Sequence, residues 1–245
     1  MKRYFFELAY NGLNYFGWQR QPKQVSVQEE IERALSKLQS NQEVNITGCG
    51  RTDTGVHASQ YFFHVDLMEA PVALNDWMYK LNSILPDDIA IFNITEVSDE
   101  LHARFSAKKR TYRYFIHWKK DPFLSDRSLF LRHQPDFEVM NEAAKHLIGK
   151  QDFTSLSKLH TDVKTNICEV SHASWVQTSE SEAYFEISAD RFLRNMVRAT
   201  VGTLLEVGQG KLTGDGLKQV LEAKDRGRAA VSVPAHGLFL WRVEY

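Results

Sequence analysis

The residues best suited to chemistry stand in a glycine-rich stretch, GCGRTDTGVH, which runs from Gly48 to His57. Within it, Asp53 supplies a carboxylate and Arg51 supplies a guanidinium two residues earlier. A nearby cation favours the ionised form of a carboxyl group, and an ionised carboxylate can act as a nucleophile or a base. The glycines of the stretch let the backbone bend sharply or let a ligand come close. The stretch is therefore a candidate active-site loop.

Two nucleotide-binding interpretations of this loop are disfavoured by its residue types. A P-loop needs Gly-Lys-Ser/Thr at the entry to a helix, whereas Gly55 is followed by Val56 and His57. A dinucleotide-binding fingerprint would need glycine at position 53, where a carboxylate would repel a bound phosphate. A structural interpretation stays open, in which Arg51 and Asp53 form a local ion pair and Asp53 caps a turn.

The charge balance of the chain excludes a protein that attracts polyanions over its whole surface. The 245 residues include 30 Lys and Arg against 31 Asp and Glu, a formal net charge of −1. Any binding of nucleic acid must therefore depend on local basic patches.

The cysteines, histidines and apolar runs predict a cytoplasmic protein without a metal or a membrane segment. Two cysteines, Cys49 and Cys168, argue against a disulfide framework and fit a reducing compartment. No cluster of Cys and His has the spacing of metal ligands. No apolar run approaches the roughly 18 residues of a membrane span.

The first half of the chain alternates between strand and helix patterns. Ser26 and Glu29 form a capping box at the start of a helix that extends to Leu38. The other predicted elements are a strand over 2–10, a strand over 61–65, a helix that starts at Leu74 and stops at Pro86, and a strand over 89–97.

The second half has the same kinds of pattern, and we predict an α+β fold with two halves, residues 1–105 and 106–245, whose sheets are largely antiparallel. Gly149 is predicted to end a helix over 138–148. The other elements are strands over 110–117, 166–177, 183–190 and 237–244, and helices over 193–205 and 214–223.

Several ordered motifs extend beyond the loop. They are GRTDxGVHA at 50–58, YxG at 10–12, GWQxQ at 17–21, HARFSA at 102–107, RxYxY at 110–114, and the segments 149–155, 196–202 and Gly237-Leu238. Together they resemble the TruA-type family of tRNA pseudouridine synthases over nearly the whole chain. Ordered motifs spread along a sequence are much more specific than a single loop.

The resemblance implies a fold, an activity and partners. The fold would consist of two RRM-like or ferredoxin-like halves joined into one extended sheet, with helices on one side and the active-site cleft between the halves. The activity would be that of an isomerase that converts uridine to pseudouridine at positions 38, 39 and 40 of the tRNA anticodon stem-loop. The resemblance also implies a homodimer that binds tRNA and needs no cofactor.

The resemblance further assigns catalytic roles. Asp53 would be the nucleophile, adding to the uracil ring or assisting departure at C1′, two routes between which the sequence does not decide. Arg198 would pair with Asp53, Tyr112 would stack on the uracil, and Leu238 would form an apolar floor. Arg51 would help to extrude the target base from its stem.

Basic and polar residues near these motifs are expected to contact RNA phosphates. They are Arg104, His102, Lys108, Arg110 and Lys164. The loop over 155–166 departs from the bacterial pattern, with Asp162-Val-Lys164-Thr165-Asn166 in its second half. Two alternatives remain: a synthase of the same family that acts at other RNA sites, and a non-catalytic RNA-binding module. The module is disfavoured because the sequence has no RNP1-like run.

Overall fold

The computed structural model describes residues 1–158 and 164–245. Within them the chain forms two compact units. Unit 1 comprises Met1–Lys108 and Phe239–Tyr245, and unit 2 comprises Lys109–Leu238. The end of the sequence therefore returns to the unit that holds its beginning.

Unit 1 contains one mostly antiparallel sheet and two helices. Its elements are β1 (Lys2–Tyr10), α1 (Val27–Leu38), β2 (Thr47–Gly48), β3 (His57–Leu67), α2 (Leu74–Ile84), β4 (Ile89–Val97) and β10 (Leu238–Glu244). The strand order is β4-β1-β3-β10, and β2 pairs with β3. Only the β3–β10 pairing is parallel among these, with Phe239 opposite His57 and Leu240 opposite Ala58.

Aromatic side chains fill the core of unit 1. Phe6 on β1 stacks on Phe63 of β3, with ring centroids 4.5 Å apart. Trp77 of α2 meets the edges of Tyr4 and Phe6 at 5.4 and 5.0 Å. Because all four side chains are almost fully buried, helix α2 covers the face of β1 that carries them.

Helix α1 begins as its capping box predicts. The Ser26 side chain accepts a hydrogen bond from the backbone N–H of Glu29, 3.3 Å away, which satisfies one of the open donors at the helix start. The apolar stripe on one side of the helix is buried: Val27, Ile31, Ala34 and Leu35. The predicted helix over this region is confirmed.

Unit 2 contains mostly antiparallel strands and three helices. Its elements are β5 (Lys109–His117), β6 (Leu129–Phe130), α3 (Phe137–Ala144), β7 (Gly149–Asp152), β8 (Ile167–Gln177), β9 (Glu182–Ala189), α4 (Met196–Gly208) and α5 (Gly214–Ala223). The strand order is β5-β9-β8-β7, with the two-residue β6 parallel to β5. The two units confirm the α+β fold class.

Helix α4 is buried on most of its surface, so its polar groups need internal partners. The hydroxyls of Thr200 and Thr203 donate to the carbonyl oxygens one turn earlier, at 2.9 and 2.8 Å. Gly202 lies so close to the segment that follows α5 that a Cβ would overlap the carbonyl oxygen of Val231. Small and internally bonded residues therefore let α4 pack tightly in unit 2.

Two predicted helix limits were wrong. Helix α3 ends at Ala144 rather than 148, because a 3₁₀ turn over Lys145–Leu147 follows and the Gln151 side chain donates to the carbonyl oxygen of His146, 2.9 Å away. Helix α4 begins at Met196 rather than 193, because Asn195 has a left-handed backbone with φ of 67°. The short strands β2, β6 and β7 are also absent from the prediction, since two to four residues show little periodicity.

Candidate active site

The loop that carries Arg51 and Asp53 connects two paired strands of unit 1. Thr47 and Gly48 of β2 lie opposite His64 and Phe63 of β3. The next residue, Cys49, donates its backbone N–H to the carbonyl oxygen of Phe62, 2.8 Å away. The loop thus leaves the sheet beside β3 and re-enters it as β3 at His57, which fixes both of its ends.

The first part of the loop rests on two aromatic side chains. The Tyr61 hydroxyl donates to the carbonyl oxygen of Gly50 and accepts the N–H of the same residue at 3.4 Å. The Trp18 ring stacks on Tyr61, with centroids 4.0 Å apart and planes at 26°. A Cβ at Gly48 would overlap both side chains. Glycine at position 48 is therefore required by packing.

The centre of the loop is held through Thr52. Its hydroxyl shares a buried hydrogen bond of 2.8 Å with the Tyr10 hydroxyl, and its carbonyl oxygen accepts the N–H of Trp18 at 3.4 Å. Thr52 is buried, whereas Arg51 is exposed and Asp53 is partly exposed. An anchored threonine therefore separates the two residues with catalytic potential.

The second part of the loop is a tight turn. The carbonyl oxygen of Asp53 accepts the N–H of Val56 at 3.1 Å, and Gly55 donates its N–H to the carbonyl oxygen of Tyr15 at 3.3 Å. Gly55 has φ of 75°, a conformation that side chains with a Cβ seldom adopt. The turn therefore explains the third glycine of the stretch.

Two glycines upstream of the loop pack directly against it. The N–H of Gly12 donates to Nδ1 of the buried His57 at 3.1 Å, and a Cβ at Gly12 would overlap the carbonyl oxygen of Val56. Gly17 has φ of 86°, and a Cβ there would overlap the carbonyl oxygen of Thr52. The sequence signal for this support is a pair of glycines within an aromatic segment. A structural role for these glycines was missed in the sequence analysis.

The predicted substrate contact His102 organises its own turn. Its Nδ1 accepts the backbone N–H groups of Arg104 and Phe105 at 3.1 and 3.2 Å, so this nitrogen is an acceptor. Burial, followed by the charges of Arg3 and Arg104, lowers the pKa of His102. Phe105 is exposed, and the Arg104 guanidinium lies 5.6 Å from its ring centroid.

The same segment is tied to the sheet of unit 1 through Ala103. Its N–H donates to Nδ1 of His64 at 3.1 Å, and its carbonyl oxygen accepts the Tyr245 hydroxyl at 2.7 Å. Burial, with smaller effects from the charges of Arg3 and His102, lowers the pKa of His64 to about 4. His64 is therefore neutral near pH 7 and acts as an acceptor.

In unit 2, Tyr112 and Tyr114 lie two residues apart on β5, so their side chains share one face of the strand. The partly buried Tyr112 ring meets the edge of Phe192, with centroids 4.9 Å apart. Tyr114 is fully buried and donates its hydroxyl to the carbonyl oxygen of Pro234 at 2.8 Å. Burial raises the pKa of Tyr114 far above its usual range.

Arg198 lies on α4 against the same segment. Its Nε donates to the carbonyl oxygen of Val233 at 2.7 Å, and its own carbonyl oxygen accepts the N–H of Val233 at 3.2 Å. The Arg198 charge acts on the Tyr114 hydroxyl, where it opposes the effect of burial on the pKa. Leu238 is buried and follows the 3₁₀ turn Ala235–Gly237. Unit 2 thus gathers Arg198, Tyr114 and the segment that leads to Leu238.

The residues predicted to contact RNA fall in both units. In unit 1, Arg104 and Lys108 are exposed. In unit 2, Lys164 is exposed, and Arg110 donates from Nη1 to the carbonyl oxygen of Asp190 at 3.1 Å. The departure from the bacterial loop pattern at Asp162 and Val163 lies outside the described residues.

The described part of the chain contains neither a metal-binding cluster nor a membrane-spanning helix. Among residues 1–158 and 164–245, no group of three or more His, Cys, Asp or Glu side chains is arranged to hold a metal ion. No helix in those same ranges has the length and apolar character to cross a membrane. Cys49 and Cys168 are both buried free thiols.

Comparison with known proteins gives the chain a family. The sequence model for tRNA pseudouridine synthase matches residues 8–106 and 143–245. The tRNA pseudouridine synthase A of Parabacteroides distasonis is 54% identical, an alignment that covers 100% of this chain and 96% of that protein. The Bacteroides fragilis protein of the same name is 48% identical, with coverage of 100% and 97%. The Bacillus subtilis one is 40% identical and covers 97% of each chain. The chain therefore belongs to the tRNA pseudouridine synthase family.

Proposed function

We propose that the protein converts uridine to pseudouridine at positions 38, 39 and 40 of the tRNA anticodon stem-loop, with Asp53 as the nucleophile. Its family makes it an isomerase that forms pseudouridine in tRNA. The observation that carries the assignment of Asp53 is the loop itself, where backbone and side-chain bonds hold the residues on each side of a partly exposed carboxylate. Holding a reacting group in a fixed position lowers the entropic cost of reaching the transition state.

The reaction replaces one bond of the nucleotide by another. The N1–C1′ glycosidic bond breaks, the uracil turns, and C5 bonds to C1′. The hydrogen on C5 then leaves as a proton, and the freed N1 takes up a proton, so the atoms balance. The Asp53 carboxylate assists either by adding to the uracil ring or by acting at C1′. Since the product has the same atoms and oxidation state as the substrate, the proposal includes no cofactor and no metal.

Arg51 is proposed to help extrude the target nucleotide. A paired uridine is out of reach of a carboxylate, and its extrusion costs a few kcal/mol of stacking and pairing. The Arg51 side chain is exposed beside the anchored Thr52, where a planar and permanently charged guanidinium can contact phosphate or stack on a base. Arg51 and Asp53 thus each have a role in the proposed reaction.

The remaining assignments rest on the family resemblance and stay proposals. Tyr112, Arg198 and Leu238 would serve the target base and the carboxylate. The tRNA contacts would come from Arg104, His102, Lys108, Arg110 and Lys164. We further propose a cytoplasmic homodimer, which light scattering at working concentration would test.

Tritium release tests the role of Asp53. tRNA transcribed with [5-³H]uridine loses tritium only when C5 bonds to the sugar. We expect release by the wild type and by Asp87→Asn, an exposed aspartate of unit 1, and none by Asp53→Asn. The Asp53→Asn variant should still bind tRNA within a few-fold, because phosphate contacts dominate affinity. Substantial turnover by Asp53→Asn would refute its role.

The target positions are tested with substituted transcripts. Replacing uridines 38, 39 and 40 by cytidine should abolish release if these are the sites. Release that persists from this transcript would favour a synthase of the same family that acts at other RNA positions.

A further inference from the structure

Two buried tyrosine hydroxyls bond to the loop on either side of Arg51. The Tyr61 hydroxyl bonds both backbone groups of Gly50, and the Tyr10 hydroxyl bonds the side chain of Thr52 at 2.8 Å. Tyr61 has 0% and Tyr10 has 4% of its surface exposed. The positions immediately before and after Arg51 are therefore both fixed from inside unit 1.

The two tyrosines are themselves rigid. Tyr10 lies on β1 and Tyr61 on β3, adjacent antiparallel strands of unit 1, with ring centroids 5.6 Å apart. The Trp18 ring stacks on Tyr61 at 4.0 Å and lies 6.1 Å from Tyr10. A buried aromatic group with fixed rings leaves each hydroxyl little freedom to move.

The loop needs such external support because of its composition. Glycines at 48, 50 and 55 give its backbone more conformational freedom than other residues would. In addition, a Cβ at Gly50 would meet nothing within 4 Å, so a side chain at this position would find no packing partner there. The Tyr61 hydroxyl supplies a restraint on both backbone groups of Gly50 that packing at its Cβ position would not provide.

We propose that the hydroxyls of Tyr10 and Tyr61 are positioning groups that hold Arg51 and Asp53 in their reactive placement. The inference rests on the proposed function, in which Asp53 is the reacting group. The tyrosines act through the backbone of Gly50 and the side chain of Thr52 and need not touch the substrate. Misplacement of a reacting group by about 1 Å can cost roughly a hundredfold in rate.

Removal of each hydroxyl tests the proposal. Tyr10→Phe and Tyr61→Phe keep the buried rings and delete only the oxygen. The control is Tyr4→Phe, since Tyr4 is equally buried on β1 and its hydroxyl accepts the backbone N–H of Ala70 at 3.0 Å, in a different part of unit 1. The control loses a partly buried hydrogen bond, as Tyr61→Phe does, in a part of unit 1 away from the loop.

Steady-state kinetics of tritium release separate positioning from general destabilisation. We expect kcat to fall by roughly tenfold to a hundredfold in Tyr10→Phe and Tyr61→Phe, with KM for tRNA within about twofold of wild type. Tyr4→Phe should keep the wild-type kcat even if its melting temperature falls as much as those of Tyr10→Phe and Tyr61→Phe. A kcat that stays at the wild-type value in both loop variants would overturn the proposal.

Amide hydrogen exchange gives a second measurement that does not depend on activity. The peptide that contains residues 48–53 should exchange faster in Tyr61→Phe than in Tyr4→Phe, because the Gly50 N–H loses its acceptor. Equal protection of this peptide in the two variants would also refute the positioning role.

Failure of the positioning proposal is distinguishable from failure of the proposed function. If Asp53→Asn turns over normally, the nucleophile assignment fails, whatever the tyrosine variants do. If Asp53→Asn is inactive while Tyr10→Phe and Tyr61→Phe retain full kcat, the nucleophile stands and the positioning role is refuted.

Discussion

Replacing Gly17 by alanine tests whether the segment upstream of the loop holds Asp53 in place. Gly17 has φ of 86°, in the left-handed region, and a Cβ there would overlap the carbonyl oxygen of Thr52. The carbonyl carbon of Asp53 would lie 3.2 Å from the same Cβ. Alanine must therefore adopt an unfavourable backbone conformation and also push the loop outward.

The two costs can be estimated separately. A left-handed conformation costs a residue with a Cβ about 1–2 kcal/mol. Relief of the overlap by a shift of the loop backbone adds about 1–3 kcal/mol, as in other overpacked sites. The free energy of unfolding should therefore fall by about 2–5 kcal/mol in Gly17→Ala.

Two other glycines provide matched controls. Gly210 has φ of 71° with nothing within 4 Å of its Cβ position, so Gly210→Ala should show the left-handed cost alone, about 1–2 kcal/mol. Gly50 has neither constraint, and Gly50→Ala should lie within about 1 kcal/mol of wild type. Urea unfolding measures these three differences.

Turnover then shows whether the shift reaches Asp53. We expect Gly17→Ala to release tritium at least about tenfold more slowly at a temperature where it is fully folded. Gly210→Ala should turn over like the wild type. If Gly17→Ala loses no more free energy of unfolding than Gly210→Ala and keeps normal turnover, the upstream segment does not position the loop.

Two further predictions concern stability. Burial lowers the pKa of His64 to about 4 from 6.5, so the unfolded state binds more protons between these values, and stability should fall as pH drops from 6.5 to 4. In urea titrations, His64→Gln should flatten this slope and the exposed control His133→Gln should not. Thr203→Val should cost about 1–3 kcal/mol, because the N–H of Ala230 loses its acceptor. Thr200→Val should cost less, since its hydroxyl donates to a carbonyl oxygen within its own helix; equal losses in urea unfolding would refute this reasoning.

The sequence predicted local features of unit 1 well. The Ser26 cap, the stripe of α1 and the strand over residues 2–10 follow from spacing within one element, and each is confirmed. The ordered motifs also predicted the family, which the matches over residues 8–106 and 143–245 confirm. Patterns that depend on neighbouring residues are therefore visible in a single chain.

The support of the candidate site was not predictable in the same way. The bond between Tyr10 and Thr52 joins residues 42 positions apart, and a tyrosine on a strand has the same local pattern with or without such a partner. The return of β10 to unit 1 is likewise a long-range pairing, between residues near 57 and near 239. The residue types indicated the chemistry of the loop, and only the tertiary structure shows what holds it.

Because β10 is the last strand to be synthesised, its place in unit 1 affects the order in which the two units can fold on the ribosome. His57, at the exit of the loop, stacks on Phe239 with ring centroids 4.4 Å apart, and that partner is synthesised only after all of unit 2. Unit 2 is thus an insertion within unit 1, and it can fold during synthesis while unit 1 still lacks a strand. A nascent or prematurely terminated chain that lacks residues 239–245 therefore lacks the parallel strand that pairs with His57 and Ala58, where β3 follows the loop.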